Sequence, residues 1–479
     1  MSPALDASRR AFLRAGTALS AHAATLGGHA ATPLALQLAG LGTLAAQQAR
    51  AADTGGGYKA LVCLYLSGGN DSHNWLVPTD AGNQALYAKA RGELAWPTAR
   101  LQAITSSTQG SGRAFGMPVE LGPLRDAYEA GRLAWLANVG PLLRPLTLAE
   151  VKAGVGLPAK LFSHNDQQST WQSLMPEGAR SGWGGRMGDL LMSANPQPVF
   201  TAVSTTGNAV FLAGNSVTQY QVGPAGPVLM NAAQGGSRLG SAGVSQALRA
   251  VLGDRGSNDF QAEYVRVAQR SLATAGTLQS ALAGSSVPAL PATPVTLTDG
   301  STLALGKEPL ALQLRMVAQL AAAGVQMGMR RQVFMVAIGG FDSHANQMRA
   351  QPVQMARVAQ SVNWFLGALQ GQGLADKVTL FSASDFGRTL TSNGDGCDHG
   401  WGGHHFIAGG AVKGRAIYGR MPITTLGTAD DAGAGRLLPS TSVTEYAAAL
   451  GRWMGLSAGE LATVLPNLGS FNAAPLGFV

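Results

Sequence analysis

Apolar positions along the chain fall into two patterns, short unbroken runs and longer stretches spaced at three and four residues. The runs at 58–66, 132–139, 198–203, 332–338, 378–383 and 406–411 read as strands. The first of these is apolar almost throughout, as expected of a central parallel strand buried on both faces. Helical spacing marks 183–191, 260–282, 308–330, 352–369 and 442–454. In the third of these, Leu310, Leu314, Val317, Leu320, Val325 and Met329 recur on one face, and Met316, Met327 and Met329 read as core filler. Residues 204–255 are rich in Gly, Ser and Asn and read as a loop-rich excursion, and 285–302 as a loop. Strands alternating with helices predict an α/β protein whose mostly parallel sheet is covered on both faces. No repeat or linker divides it, so residues 52–479 are expected to form a single domain.

Composition sharpens this picture. Hydrophobic residues make up 46% of the 479 and charged residues only 13%, against about 25% in ordinary soluble domains. With 64 glycines, such a chain packs glycine-rich loops between buried strands and is neither disordered nor a coiled coil. The net charge is +8; four Arg and one Asp in residues 1–51 supply +3 of it and leave +5. No basic run or aromatic-basic interleaving accompanies that charge, which argues against nucleic acid as a partner. Cys63 and Cys397 are the two cysteines; with no CxxC and one of them inside a strand, both are expected as unpaired thiols.

The N-terminus departs from the rest. Ser8-Arg9-Arg10-Ala11-Phe12-Leu13-Arg14 resembles a twin-arginine export signal, and no charge follows until Arg50. Ala49-Arg50-Ala51 then supplies a small-x-small cleavage pattern. Residues 1–51 are therefore expected to be a removable signal peptide and the mature protein periplasmic or secreted. Past the leader no stretch reaches ~18 consecutive apolar residues, so no transmembrane span is expected in the mature chain.

The candidate chemistry lies in the histidines. Two of the eight (His22, His29) fall in the leader, whereas His73, His164, His344, His399, His404 and His405 occupy four short segments. Three strands end in related phrases, Gly68-Gly69-Asn70-Asp71-Ser72-His73, Gly339-Gly340-Phe341-Asp342-Ser343-His344 and Ser382-Ala383-Ser384-Asp385-Phe386-Gly387. Each sets a carboxylate at the C-terminal edge of the sheet, where open α/β sheets bind ligands. Several carboxylates gathered there repel one another unless a cation joins them, and mixed Asp and His ligands suit zinc or manganese. Asp398 is placed to orient His399, and Arg186 or Arg388 to grip a phosphate or sulfate.

GGNDSHNWLVP, LFSHNDQQSTWQS, GWGGR, VFMVAIGGFDSHANQ, SDFGRT and GCDHGWGGHHFIAGGAVKGRAIYG, in this order, resemble the bacterial exported family known as domain of unknown function 1501. That family resembles a branch of the alkaline phosphatase and sulfatase superfamily. The resemblance implies a three-layer α/β/α sandwich binding one or two divalent metal ions and acting on phosphate or sulfate esters. It implies Asp71, Asp342, His344, Asp385 and His399 as metal ligands, to which His404 is added as a candidate. His164, Arg388 and Ser72 are the candidate catalytic groups, with Ser169 and Thr170 as further hydroxyls near His164. Phe386 stands where the superfamily has a His, and no nucleophile matches its pattern. The implied substrate is a small anionic ester or a glycan; the alternative is a binding or assembly protein of the cell envelope that keeps the fold without the activity.

Overall fold

In the computed structural model, which describes residues 56–106, 108–227, 242–254, 258–471 and 475–479, the apolar runs become one central sheet. Its strands, with a hairpin that stands outside it, are β1 (Lys59–Leu66), β2 (Leu133–Gly140), β3 (Ala202–Ser204), β4 (Tyr220–Gln221), β5 (Arg331–Ile338), β6 (Val378–Ser384), the hairpin pair β7 (Arg388–Ser392) and β8 (Cys397–His399), then β9 (Gly403–Ala408), β10 (Ile417–Tyr418) and β11 (Thr441–Ser442). Among the described residues the sheet has nine strands in the order β10-β2-β9-β6-β1-β5-β3-β4, with β11 also pairing β2. Only β9 runs antiparallel. β1 lies between β5 and β6 with Leu66 level with both Ile338 and Ser384. The three phrases foreseen at strand ends therefore leave the sheet side by side.

Helices cover both faces. On one face Ala60, Val62, Leu64 and Leu66 pack with Leu310, Leu314 and Val317 of a helix at Pro309–Gln326 and with Met355, Val358 and Val362 of a helix at Gln347–Gly371. On the other, Phe381 meets Trp183 at 5.5 Å and Tyr446 at 5.6 Å between ring centres. Alternate residues of each strand thus serve opposite layers, as a period-two backbone requires. Met316 and Met329 lie in the core and Met327 packs against it, whereas Val325 is exposed. Cys63 and Cys397 are buried free thiols.

Several boundaries differ from the expectation. The run at 198–203 divides into a 3-10 turn at Pro198–Phe200 and the short strand β3. The helix foreseen at 352–369 begins at Gln347, so Pro352 lies inside it as its sixth residue and leaves the Met348 carbonyl without its intrahelical donor. The excursion after 204 holds β4 and a helix at Ala242–Gly253; residues 228–241 and 255, like the leader 1–51, lie outside the described residues. Gly55–Val479 forms one compact unit, and no described helix is long and apolar enough to cross a membrane.

Candidate metal centre

The loop after β5 carries Asp342, whose side chain is 48% exposed. Its neighbour Arg388, at the start of β7, is fully buried and donates through Nη2 to Asp342 Oδ1. The same guanidinium donates to the carbonyls of Gly69 (2.9 Å), Gly68 (2.7 Å), Phe341 (3.1 Å) and Cys397 (3.0 Å). It therefore ties together the loops leaving β1 and β5 and the hairpin. Gly69 is required beneath it: with φ +88°, a Cβ there would lie 2.2 Å from the Phe386 ring.

Three imidazoles face Asp342. His344 Nε2 lies 3.1 Å and His399 Nε2 3.4 Å from Oδ1, and His164 Nε2 lies 3.5 Å from Oδ2. His344 and His399 approach each other to 2.8 Å through Nε2. In each ring the other nitrogen meets an oxygen. His164 Nδ1 is 2.7 Å from Asp385 Oδ2, His399 Nδ1 is 2.7 Å from the Phe162 carbonyl, and His344 Nδ1 is 3.3 Å from Asp398 Oδ1. Carboxylates and carbonyls only accept, so each Nδ1 carries a proton and Nε2 is the ring atom turned toward Asp342, where a neutral ring would offer a lone pair. Phe386 floors the group, its ring centre 4.9 Å from that of His164 and 4.5 Å from that of His399.

With all three rings neutral and protonated at Nδ1, their Nε2 lone pairs and the Asp342 carboxylate would repel unless a cation lay among them. Arg388 balances one carboxylate oxygen and approaches His344 Nε2 at 3.4 Å, and in that state it supplies no donor to His164 or His399 Nε2. A tetrahedral ion with bonds of about 2.0–2.1 Å holds its ligand atoms about 3.3 Å apart. The spacings from His164 and His399 to Asp342, 3.5 and 3.4 Å, fit that demand, and these three donor atoms all lie within 4.8 Å of one another. His344 Nε2 stands outside the group and, at 2.8 Å from His399 Nε2, is closer than two ligands of one such ion. An oxygen behind every histidine is the usual support of a metal ligand.

The charges are consistent with this arrangement. Burial alone would raise the Asp342 pKa, but the Arg388 hydrogen bond and charge, with His344 and His164, hold it below the usual carboxylate range. Burial pushes His399 down, and the Arg388 charge adds to that, so this ring is biased toward its neutral, ligating form. Asp398 is held low, first by a hydrogen bond from Asn393 and then by His344.

The remaining sequence candidates divide. Asp342, His344 and His399 meet as foreseen, and His164, foreseen as catalytic, joins them. Asp385 stands behind His164 and not beside Asp342: it is fully buried and also accepts from Gln168 at 2.9 Å. The Tyr65 phenol is buried close by, its pKa pushed well up by burial and then by the Asp385 charge. Asp398 backs His344, where the sequence pointed to His399.

Asp71 lies apart. Its buried Oδ2 accepts from Arg91 and Gln347, and Oδ1 from the His73 N–H at 3.2 Å. His404 is also elsewhere, in the β9 bulge, where its Nδ1 accepts from the Asn138 N–H at 3.0 Å and burial lowers its pKa well below the ordinary value. Ser72 Oγ is buried and accepts from the His404 N–H at 2.7 Å. Ser169 and Thr170 donate to the Pro176 and Asp166 carbonyls. The donors of Arg388 are engaged as described, and Arg186 donates to the Val464, Ser181 and Ser173 carbonyls, so neither guanidinium is aimed at an open anion site. Phe162, Gln168, Arg91 and Gln347 were not singled out in the sequence. The first acts through its carbonyl and the others through partners at least twenty residues away, neither of which leaves a local signal.

An α/β protein with a His/Asp cluster at the C-terminal edge of a mostly parallel sheet is the class that fold and site define. The chain belongs to the family described as protein of unknown function (DUF1501), whose profile matches residues 131–465. The match begins after β1, so the Asp71 phrase precedes it. No curated protein matches the chain in sequence. Among solved structures it is similar to the PsFucS1 sulfatase from Pseudoalteromonas sp. (10% identity, TM-score 0.34, 91% of this chain and 75% of that one). It is also similar to Ps i-CgsB in complex with k-i-k-neocarrahexaose (10% identity, TM-score 0.33, 87% and 78%). Likenesses this distant carry no argument about chemistry.

Proposed function

We propose that this is an exported metal-dependent hydrolase or transferase of phosphate or sulfate esters, with zinc or manganese held by His164, Asp342 and His399 and with His344 beside them as a further candidate ligand. The observation that carries this reading is the convergence of three imidazole Nε2 atoms on one half-exposed carboxylate, with an oxygen beside each Nδ1. When bound, a divalent ion supplies a Lewis acid for the ester oxygen and lowers the pKa of a coordinated water. The chain's own groups orient and neutralise: Asp385 fixes the His164 tautomer, Asp398 that of His344, and Arg388 balances Asp342. With Ser72, Ser169 and Thr170 engaged elsewhere, water is the nucleophile this arrangement favours. Export rests on the leader, and replacing Arg9 and Arg10 by lysine is expected to hold the protein in the cytoplasm on cell fractionation.

The test is turnover of a panel of aryl and sugar phosphates and sulfates by metal-loaded protein, beside Asp342→Ala. Turnover that disappears with bound metal in the variant supports the reading, and full turnover without metal overturns it. The engaged hydroxyls and guanidinia favour a second reading, a metal-holding binding or assembly protein of the envelope. Metal bound at the cluster, no ester turnover, and capture of an envelope component that survives Asp342→Ala would select it.

A further inference from the structure

Asp71 and Arg91 form an ion pair in which both side chains are 0% exposed. Neither touches the cluster, yet both touch what holds it. Arg91, the last residue of the helix at Ala81–Arg91, donates through Nη1 to the carbonyls of Thr389 (3.1 Å) and Leu390 (3.2 Å) while Nη2 meets Asp71. Those carbonyls belong to β7, directly after Arg388. In the hairpin Arg388 pairs with His399, and the Asp398 N–H donates to Thr389 Oγ1 at 3.0 Å. Asp71 in turn fastens the first turn of the Gln347–Gly371 helix: Gln347 donates to its carboxylate, Gln351 donates to its carbonyl at 2.8 Å, and Cys397 Sγ in β8 donates to Gln347 Oε1 at 2.9 Å. Ser392, at the far end of β7, donates to Glu93 just past Arg91. One buried pair thus bridges the β1 turn, two helices and both strands of the hairpin that carries Arg388, Asp398 and His399.

We propose that Arg91 and Asp71 are a positioning pair for the metal centre: they clamp the β7–β8 hairpin so that Arg388 and His399 meet Asp342. The proposal rests on the metal reading above for its consequence, but the clamp itself is tested separately. A buried ion pair costs desolvation that apolar side chains avoid, so stability alone gives little reason for one. The span of acceptors that Arg91 reaches gives a reason in geometry.

The test uses the full mature protein as Arg91→Met and as the paired Asp71→Leu/Arg91→Met. The pair leaves no lone buried charge and covers the case in which the single variant does not fold. Two readouts are taken: amide hydrogen exchange of the 388–399 segment against 59–66, and Zn²⁺ affinity by competition with a chromophoric chelator. The clamp predicts at least tenfold faster exchange confined to 388–399 in both variants, with Zn²⁺ binding at least tenfold weaker. Unchanged exchange in the hairpin overturns it. Weakened Zn²⁺ binding in the pair but not in Arg91→Met also overturns it, because Asp71 would then act as a ligand. If the wild type takes up no Zn²⁺ the metal reading fails, and hairpin exchange alone decides the clamp.

Discussion

Asp71 and Asp342 end neighbouring parallel strands in nearly the same words, Asn-Asp-Ser-His and Phe-Asp-Ser-His after two glycines, with Leu66 and Ile338 in register behind them. Their environments are opposite. Asp71 is sealed, and Arg91, Gln347 and the His73 N–H satisfy it; Asp342 is half exposed, with three imidazole Nε2 atoms turned toward it. The phrase brings a carboxylate to the sheet edge, and what arrives from elsewhere decides its use. Over β1 that is a guanidinium from a helix twenty residues on. Over β5 it is histidines from the 164 helix and the hairpin.

The comparison breaks most visibly in stability. Asp71→Asn leaves Arg91 buried without its counter-charge and is expected to cost about 3–5 kcal/mol in chemical denaturation. Asp342→Asn should cost only about 1–2 kcal/mol, because water reaches this side chain and Arg388 keeps its backbone carbonyl acceptors. Equal costs would mean that the two sites are not different in kind. Next in size is metal affinity: isothermal titration with Zn²⁺ should show at least 100-fold weaker binding for Asp342→Asn. Asp385→Asn frees the His164 tautomer without removing a ligand and should weaken binding about 10–100-fold. No effect of that variant would show that His164 is not a ligand.

A pH series sharpens the contrast between the cluster and the β9 histidines. Burial lowers the His405 pKa to about 3 and that of His404 well below its usual value, so both are neutral in the fold. The unfolded chain takes up these protons near pH 6.5, so their contribution to stability is complete above that value. It is lost progressively as the pH falls from 6.5 toward 3. His405→Phe should therefore flatten the acid limb of the stability curve, and an unchanged slope would contradict the burial argument. Asp398→Asn is the smallest expected effect, a few-fold loss of Zn²⁺ affinity, since His344 is more exposed and Asn393 already engages Asp398.

The strands were legible because buried parallel strands are written as apolar runs, and β1, β5 and β6 fall within a residue or two of their expected limits. The helix start at Gln347 was not, since Pro352 imitates a boundary. The strand-end carboxylates and the clustering of His164, His344 and His399 were also legible. Sequence could not separate ligand from support, because Asp385 and Asp342 are both strand-end carboxylates that face a histidine, and what divides them, the burial of Asp385 and the Arg388 contact of Asp342, is set by distant parts of the chain. Nor could it separate Asp71 from Asp342, since Arg91 sits in an ordinary helical stretch. His404 was misplaced for a related reason: a histidine beside a metal-rich loop looks the same whether its strand faces the site or turns it into the sheet.

The central claim is that Asp342, with His164 and His399, holds a metal ion. Elemental analysis of the exported mature protein, purified without chelator beside Asp342→Ala, tests it most directly. The account predicts one or two equivalents of a divalent transition metal in the wild type and loss of the cluster's ion in a variant that remains folded. A folded wild type without metal even after supplementation, or a variant that keeps its full complement, would contradict it.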